Sequence, residues 1–345
     1  MTKPLSIFSS NPPQPSPLRR GREWVGGIEM NIPYRKIVFF LLSLIVILVL
    51  MNWWMDREIY PHWPLQYQEA FHPRIKADVI IMGASHATHG INPKYLERDS
   101  VKVFNFAYNG ASPDFNLRWF KKVFKPNYQK PSCIIYGVHW VMFDDQLLQR
   151  KFEQDSKYFP FRFFVEEFRD LKSLKTLLLN RFAFIRERRQ IMPRLFKKKW
   201  ARDVYPVARY YQGYIPFETR RDLDQKDKVN PRISPDQLKA FEELLDEFEG
   251  EKIHVIFVQI PDYIPARDSS TMVKNIELIK RIARERNIPF LDYDTERITG
   301  INYQQDYYAD WAHLNGKGSE TFSILLRDDF ETRGFFKYFS KVQGG

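Results

Sequence analysis

The sequence predicts an α/β fold of three layers, with helices on both faces of a mostly parallel sheet, and one transmembrane helix ahead of it. Two observations predict the layers. Short apolar runs rich in Val, Ile and Phe recur from residue 77 onward, and helical periodicities lie between them. Such alternation is the pattern of parallel strands joined by crossover helices. The third observation predicts the anchor: residues 37–55 contain no charged side chain.

The anchor comes first. Residues 1–35 are rich in Pro, Ser and Gly, without apolar periodicity, and read as a disordered cytosolic tail. The segment 36–55 contains IVFFLLSLIVILVLMNWWM, with only Ser43 and Asn52 polar. A helix over it rises roughly 28 Å, enough to cross a hydrocarbon core. Trp53 and Trp54 stand where an interfacial aromatic belt forms. A cleaved signal has a shorter apolar run and a small-residue cleavage site. Here Met-Asn-Trp-Trp-Met-Asp closes the run, so a signal-anchor is expected. Arg19, Arg20, Arg22, Arg35 and Lys36 precede it. The positive-inside rule places the N-terminus in the cytoplasm and the remainder outside the cell membrane, in a periplasmic or extracellular space.

Residues 56–76, with Pro61, Pro64 and Pro73, read as a stalk. The domain spans 77–333, followed by a tail over 334–345. Its strands are expected at Ala77–Met82, Val101–Phe106, Ser132–Val138, Lys252–Ile260 and Ile288–Asp292. Ser234-Pro235-Asp236-Gln237 is a capping box that opens one helix, and Gly250 closes it. Val273, Ile276, Ile279, Ile282 and Ala283 mark the apolar stripe of another. Residues 144–234 break the alternation and read as a helical insertion, with an amphipathic stretch at Phe161–Leu178.

The composition narrows the function. With 345 residues, 44% hydrophobic and 28% charged, a packed domain is expected and a disordered chain excluded. Cys133 is the single cysteine, which excludes an internal disulfide and a Cys-rich zinc module. The net charge of +11 collects in the N-terminal tail and the insertion, where Arg181–Arg202 holds nine Lys and Arg. Three readings of that cluster stay open: a solvated helix face, a contact with anionic lipids of the bilayer, or a site for an acidic polymer. Nucleic acid is not expected as a partner of a domain outside the cytoplasm.

Two motifs carry chemistry. In Met82-Gly83-Ala84-Ser85-His86 a serine follows the first strand directly, at the carboxyl edge where open α/β sheets bind ligands. In Asp310-Trp311-Ala312-His313, just before the last helix, an Asp and a His three apart can enter one site. The His would take the Ser85 proton and the Asp would hold the imidazole in the required tautomer. His86 and His89 stand three apart beside the serine, but no third ligand is evident, so no metal and no cofactor is expected. Asp114 reads as a first-turn residue. Gln259, Asp262 and Tyr263, after the fourth strand, stand as substrate contacts.

A serine after the first strand and a late Asp-x-x-His together resemble the SGNH/GDSL hydrolase superfamily, over about residues 77–333 less the insertion. The resemblance implies a flavodoxin-like α/β/α fold, with Ser85 as nucleophile, His313 as base and Asp310 as its partner. It implies an oxyanion hole from the N–H groups of Ser85 and Gly110. The family's third block usually reads Gly-x-Asn-Asp, whereas this chain reads Tyr136-Gly137-Val138-His139-Trp140; His139 is the residue available to donate instead. His86, Asn109, Gln259 and Asp262 are the expected substrate contacts. Together with the anchor, the chain looks like membrane-bound members that handle acyl groups on envelope polymers, such as the DltD and alginate O-acetylation proteins. That likeness implies O-acetylation or related acylation of a cell-envelope polysaccharide or polymer, with a multi-pass membrane O-acyltransferase as partner. An esterase with the same triad, and a non-catalytic scaffold that binds polymer or a membrane partner, remain as alternatives.

Overall fold

The computed structural model describes residues 34–59, 76–98, 100–144, 182, 209–218, 223, 232–266 and 269–339. The amphipathic stretch at 161–178 lies outside the described residues, as does all of the basic cluster but Phe182.

Helix α1 spans Tyr34–Ile59. Its Tyr34–Met55 stretch has a mean hydropathy of 2.6 and is long and apolar enough to cross a membrane. The helix outruns the apolar run into residues 56–59, which corrects the expected start of the stalk. Asp56, Arg57 and Glu58 are compatible with a helix, and the first proline after them is Pro61.

The rest is an α/β domain. Strands β1 (Val79–Gly83), β2 (Val103–Asn105), β3 (Cys133–Val138), β4 (His254–Gln259) and β5 (Phe290–Asp292) form one parallel sheet in the order β2-β1-β3-β4-β5. This is the flavodoxin-like doubly wound order, whose switch point lies between β1 and β3. The strands begin one to two residues later than the apolar runs, because those runs include residues that enter the ladder from loops. Alternate strand residues feed two cores. Ile80, Met82, Ile134, Tyr136 and Phe257 pack against helices α3 (Pro113–Trp119), α4 (Pro235–Gly250) and α5 (Ser269–Glu285). Val79, Ile81, Ile135, Ile256 and Val258 pack against α2 (Ser85–Gly90) and α6 (Gly316–Thr332). The strands are therefore covered on both faces, which is why they read as continuous apolar runs.

Two boundaries differ from expectation. Phe339 is buried in the second core and its carbonyl accepts from Ser132 Oγ at 2.9 Å, so residues 334–339 belong to the domain. At the start of α4, Ser234 Oγ accepts from Gln237 N–H as a cap should. The reciprocal half of the box is missing: Ser234 N–H donates to Phe143 O, and Gln237 Oε1 accepts from Asp114 N–H. Gln237 thus ties α4 to the first turn of α3.

Candidate active site

β1 ends at Gly83 and α2 begins at Ser85, with one residue between them. The turn is tight because α2 lies close on β3. A Cβ on Gly137, the register partner of Gly83, would stand 2.5 Å from Ala87 Cβ. Only hydrogen fits there, so the glycine in Tyr136-Gly137-Val138 lets α2 settle and sets the height of Ser85 over the sheet. Asn105, fully buried at the end of β2, holds the same helix. Its Nδ2 donates to Ala87 O and Ile91 O, each at 2.9 Å, and its Oδ1 accepts from Ala107 N–H.

Asp310 and His313 sit in a turn that their own spacing builds. Asp310 Oδ1 accepts from the backbone N–H groups of Ala312 (3.0 Å) and His313 (2.9 Å), and Ala309 N–H closes the loop on His313 O (2.8 Å). Short Asp side chains favour such turns. The same Oδ1 meets His313 Nδ1 at 2.8 Å. Across the site, His313 Nε2 lies 2.7 Å from Ser85 Oγ. With Nδ1–H donating to the carboxylate, Nε2 is free to accept the serine proton.

The His313 ring is held on several sides. His86 stacks on it (centroids 4.7 Å apart, 26°), and Phe217 meets it edge-on at 5.6 Å. Phe217 comes from the part of the insertion at 209–218, which is fixed to the domain by Asn105 N–H to Gln212 O and by His89 Nδ1 to Ile215 O, both 2.8 Å. No spacing in the sequence marks Phe217, because it reaches the site by a long excursion of the chain.

His86 stacks on His139 as well, at 3.6 Å and 20°, so it lies between two imidazoles. Its two ring nitrogens have no hydrogen-bond partner. Burial, then repulsion from His139, His313 and His89, holds its pKa well below 6.5, so the ring is neutral.

His139 does not supply the expected oxyanion donor. Its Nε2 meets Asp262 Oδ2 at 3.1 Å, and Val141 N–H points at its Nδ1. The physical cause is Asp262, a fully buried carboxylate that needs donors and takes them from His139 and from Trp140 Nε1 (3.0 Å). For the same reason Asp262 and Gln259 are not placed as substrate contacts. Both are fully buried, and Gln259 Nε2 donates to Asp294 Oδ2 at 3.3 Å. They form the wall behind His86 and His139.

His89 turns its Nδ1 to Ile215 O. His86, His139 and Asp262 do bring ligand atoms within 4.8 Å of one another. Asp262 Oδ2 is engaged by His139 and Trp140, whereas Asp262 Oδ1 and both His86 ring nitrogens have no hydrogen-bond partner among the described residues.

Gly110 lies in a type II turn closed by Ala111 N–H to Tyr108 O (2.9 Å), with φ +75° at the third position, where glycine is favoured. Its N–H lies outside that closing bond. Asn109, beside it, is buried, with an Oδ1 that has no partner. Asp114 pairs with Arg118 four residues on, at 2.7 Å, in the first turn of α3 as read from the sequence.

Beside Ser85, at the β1/β3 switch point, lies a cavity of about 40 Å³ that Ser85, His86, Ala111, Pro113, Val141 and Met142 help to line.

No protein-family model matches the chain, and no curated protein matches it. Several solved structures are similar in outline. They include a lipase/acylhydrolase from Enterococcus faecalis, at 13% identity and TM-score 0.38 over 75% of this chain and 97% of the other. A GDSL-like lipase from Bacteroides thetaiotaomicron matches at 14% and 0.35, over 74% and 88%. An acetylxylan esterase from Geobacillus stearothermophilus matches at 12% and 0.36, over 77% and 96%. At such low values the chemistry has to be read from the side chains themselves.

Proposed function

We propose that this protein is a serine enzyme of acyl transfer, held at a membrane by its N-terminal helix. One observation carries the reading: Ser85 Oγ, His313 Nε2 and Asp310 Oδ1 stand in an unbroken hydrogen-bonded line with distances of 2.7 and 2.8 Å. A hydroxyl that donates to a correctly oriented imidazole is an activated nucleophile.

The steps follow. His313 Nε2 takes the Ser85 proton as Oγ attacks the carbonyl carbon of an acyl ester. The Asp310 carboxylate stabilises the imidazolium. The N–H groups of Ser85 and Gly110 are the donors for the oxyanion. The tetrahedral adduct collapses, the ester C–O bond breaks, and His313 returns the proton to the leaving alkoxide, which leaves acyl-Ser85. An acceptor hydroxyl then gives its proton to His313, attacks the acyl carbon and frees Ser85. His86 and Asn109 border the site and are the substrate contacts of this reading.

The acceptor in this proposal is a hydroxyl of a cell-envelope polysaccharide or polymer, and the domain works outside the cytoplasm. A helix that fits a bilayer supports the choice, since it keeps the domain beside that polymer. A multi-pass membrane O-acyltransferase that delivers acyl groups is the proposed partner. Water as acceptor makes the same site an esterase, with no change in residues.

The test is labelling of the full-length protein in detergent with a fluorophosphonate, read by intact mass. One adduct is expected on the wild type, none on Ser85→Ala, and a slowed one on His313→Ala. An unlabelled, folded wild type would sink the catalytic reading and favour a scaffold. Acylated oligosaccharide appearing only when acceptor is present then separates transferase from esterase.

A further inference from the structure

We infer that His86, His139 and Asp262 form a site for one transition-metal dication of the zinc class, beside Ser85. The inference goes beyond the acyl-Ser85 reading and stands independently of it.

The donors come from separate parts of the chain. His86 lies in the first turn of α2, His139 directly follows β3, and Asp262 comes shortly after β4. Their ligand atoms lie within 4.8 Å of one another. All three residues are buried, Asp262 fully so. Along the sequence His86 has only His89 beside it and no third ligand. The fold replaces His89 with two donors from the ends of the neighbouring strands β3 and β4.

The unpartnered atoms point to a ligand. His86 Nδ1, His86 Nε2 and Asp262 Oδ1 are buried and have no hydrogen-bond partner among the described residues. Buried polar atoms in folded proteins nearly always find a partner, and an orphan marks the place of a water or an ion. A bare carboxylate oxygen in the interior is the costliest of the three. A cation compensates its charge, which a neutral water does not.

The distances agree with one ion held between these donors. His86 Nε2 stands 3.7 Å from Asp262 Oδ1, and His139 Nε2 stands 3.1 Å from Asp262 Oδ2. The first separation is too long for a hydrogen bond. Bonds of about 2.0–2.2 Å from zinc to nitrogen and oxygen set two ligands of one ion ~3.0–3.8 Å apart. Both separations fall in that range.

The donor set selects the metal. Two imidazoles and a carboxylate are the ligands of a catalytic type of zinc site, which keeps its fourth position open. Calcium and magnesium take oxygen instead. His86 and His139 both line the cavity of about 40 Å³ beside Ser85. A water needs ~10–15 Å³, so one has room there as the fourth ligand. Outer contacts hold the carboxylate: Trp140 Nε1 donates to Asp262 Oδ2 at 3.0 Å, and Asp262 N–H donates to Asp294 Oδ1 at 3.0 Å. Such contacts orient metal ligands.

Binding asks for two adjustments. His139 Nε2 gives up its proton, which moves to Nδ1 at the expense of the 3.4 Å contact with Val141 N–H. The His86 and His139 rings also lie 3.6 Å apart and 20° from parallel. Two imidazoles on one tetrahedral ion splay to about 5 Å between centroids. His86 is the ring that turns, because neither of its nitrogens is bonded. With Nε2 on the ion, the proton of His86 sits on Nδ1, so the ring keeps a donor for the substrate.

The experiment uses tag-free, full-length protein in detergent. The protein is stripped with chelator and dialysed against Zn²⁺, and metal per chain is read by plasma mass spectrometry. Co²⁺ then takes the place of Zn²⁺ and is read by visible absorption. The metal-free chain is the form in which His86 titrates freely. One Zn²⁺ per chain is expected on the wild type, together with the bands of four-coordinate cobalt. No thiolate band is expected, since Cys133 is buried. Asp262→Asn, His139→Gln and His86→Gln are each expected to weaken binding by at least ~100-fold. His89→Gln is expected to leave it unchanged. The wild-type stoichiometry and cobalt spectrum decide even if the buried variants misfold: a wild type that keeps no zinc overturns the inference. Equal affinity in the three folded variants overturns it as well and assigns the metal to other residues. Fluorophosphonate labelling of Ser85 in the metal-free chain tests the serine reading separately, so either can fail alone.

Discussion

Asp310 has two tasks on one oxygen: it accepts two backbone N–H groups that shape its turn and the Nδ1–H of His313. Asp310→Asn keeps an amide oxygen for one of these tasks and removes the charge that steadies the imidazolium. Labelling of Ser85 is expected to slow by ~10³- to 10⁴-fold, while the thermal midpoint moves little. His86 gives a prediction of another kind. Its folded pKa lies well below 6.5, chiefly through burial, so the unfolded chain binds a proton that the folded one refuses. Its contribution is complete above pH 6.5 and declines as pH falls through the window between 6.5 and the lowered folded value. Urea midpoints at pH 7.5 and 5.5 are expected to differ less in His86→Gln than in the wild type. An equal pH dependence in both would show that the stacked ring is not the titrating group.

At the scale of elements, the seat of α2 on the sheet decides where Ser85 stands. Gly137→Ala sets a methyl 2.5 Å from Ala87 Cβ and 3.3 Å from Ile260 Cδ1, so α2 must lift. A loss of about 1–3 kcal/mol in urea unfolding is expected, together with slower labelling of Ser85, since a displaced Oγ leaves His313. Normal labelling with reduced stability would mean that the helix moves without carrying the serine. The elements themselves were legible early. Val- and Ile-rich runs located all five strands of the described residues, and the helix spacings located α4 and α5. The role of Asn105 was not legible, because its carbonyl partners at Ala87 and Ile91 come from another part of the chain. Strand ends were not legible, because the ladder is set by the neighbouring strand and not by the run.

The whole molecule joins a membrane-competent helix to a domain in the same chain. If α1 anchors it, the full-length protein stays with membranes through alkaline carbonate extraction. Leu44→Arg with Leu48→Arg, each costing about 2.5–3.5 kcal/mol at a helix centre, is expected to move it to the soluble fraction. Release of the unaltered chain by carbonate would remove the anchor from the proposal.

What the sequence determined by itself was whatever local chemistry dictates. Uncharged length made α1, periodicities of two and 3.6 made the layers, and the three-residue spacing of Asp310 and His313 made a turn that aims both at one point. What only the tertiary structure decided was which distant groups meet. Ser85 and His313 come within hydrogen-bond reach from 228 residues apart. Order along the chain allowed that pairing, but sheet closure with α2 and α6 on one face accomplishes it. The same closure buried Asp262 and so drew His139 away from the oxyanion, a competition that no linear motif records. It also placed Phe217 against the His313 ring and left a small cavity beside the serine. Local order follows from short-range sterics and hydrogen bonds, whereas burial, which sets the cost of every unpaired charge, is a property of the assembled layers.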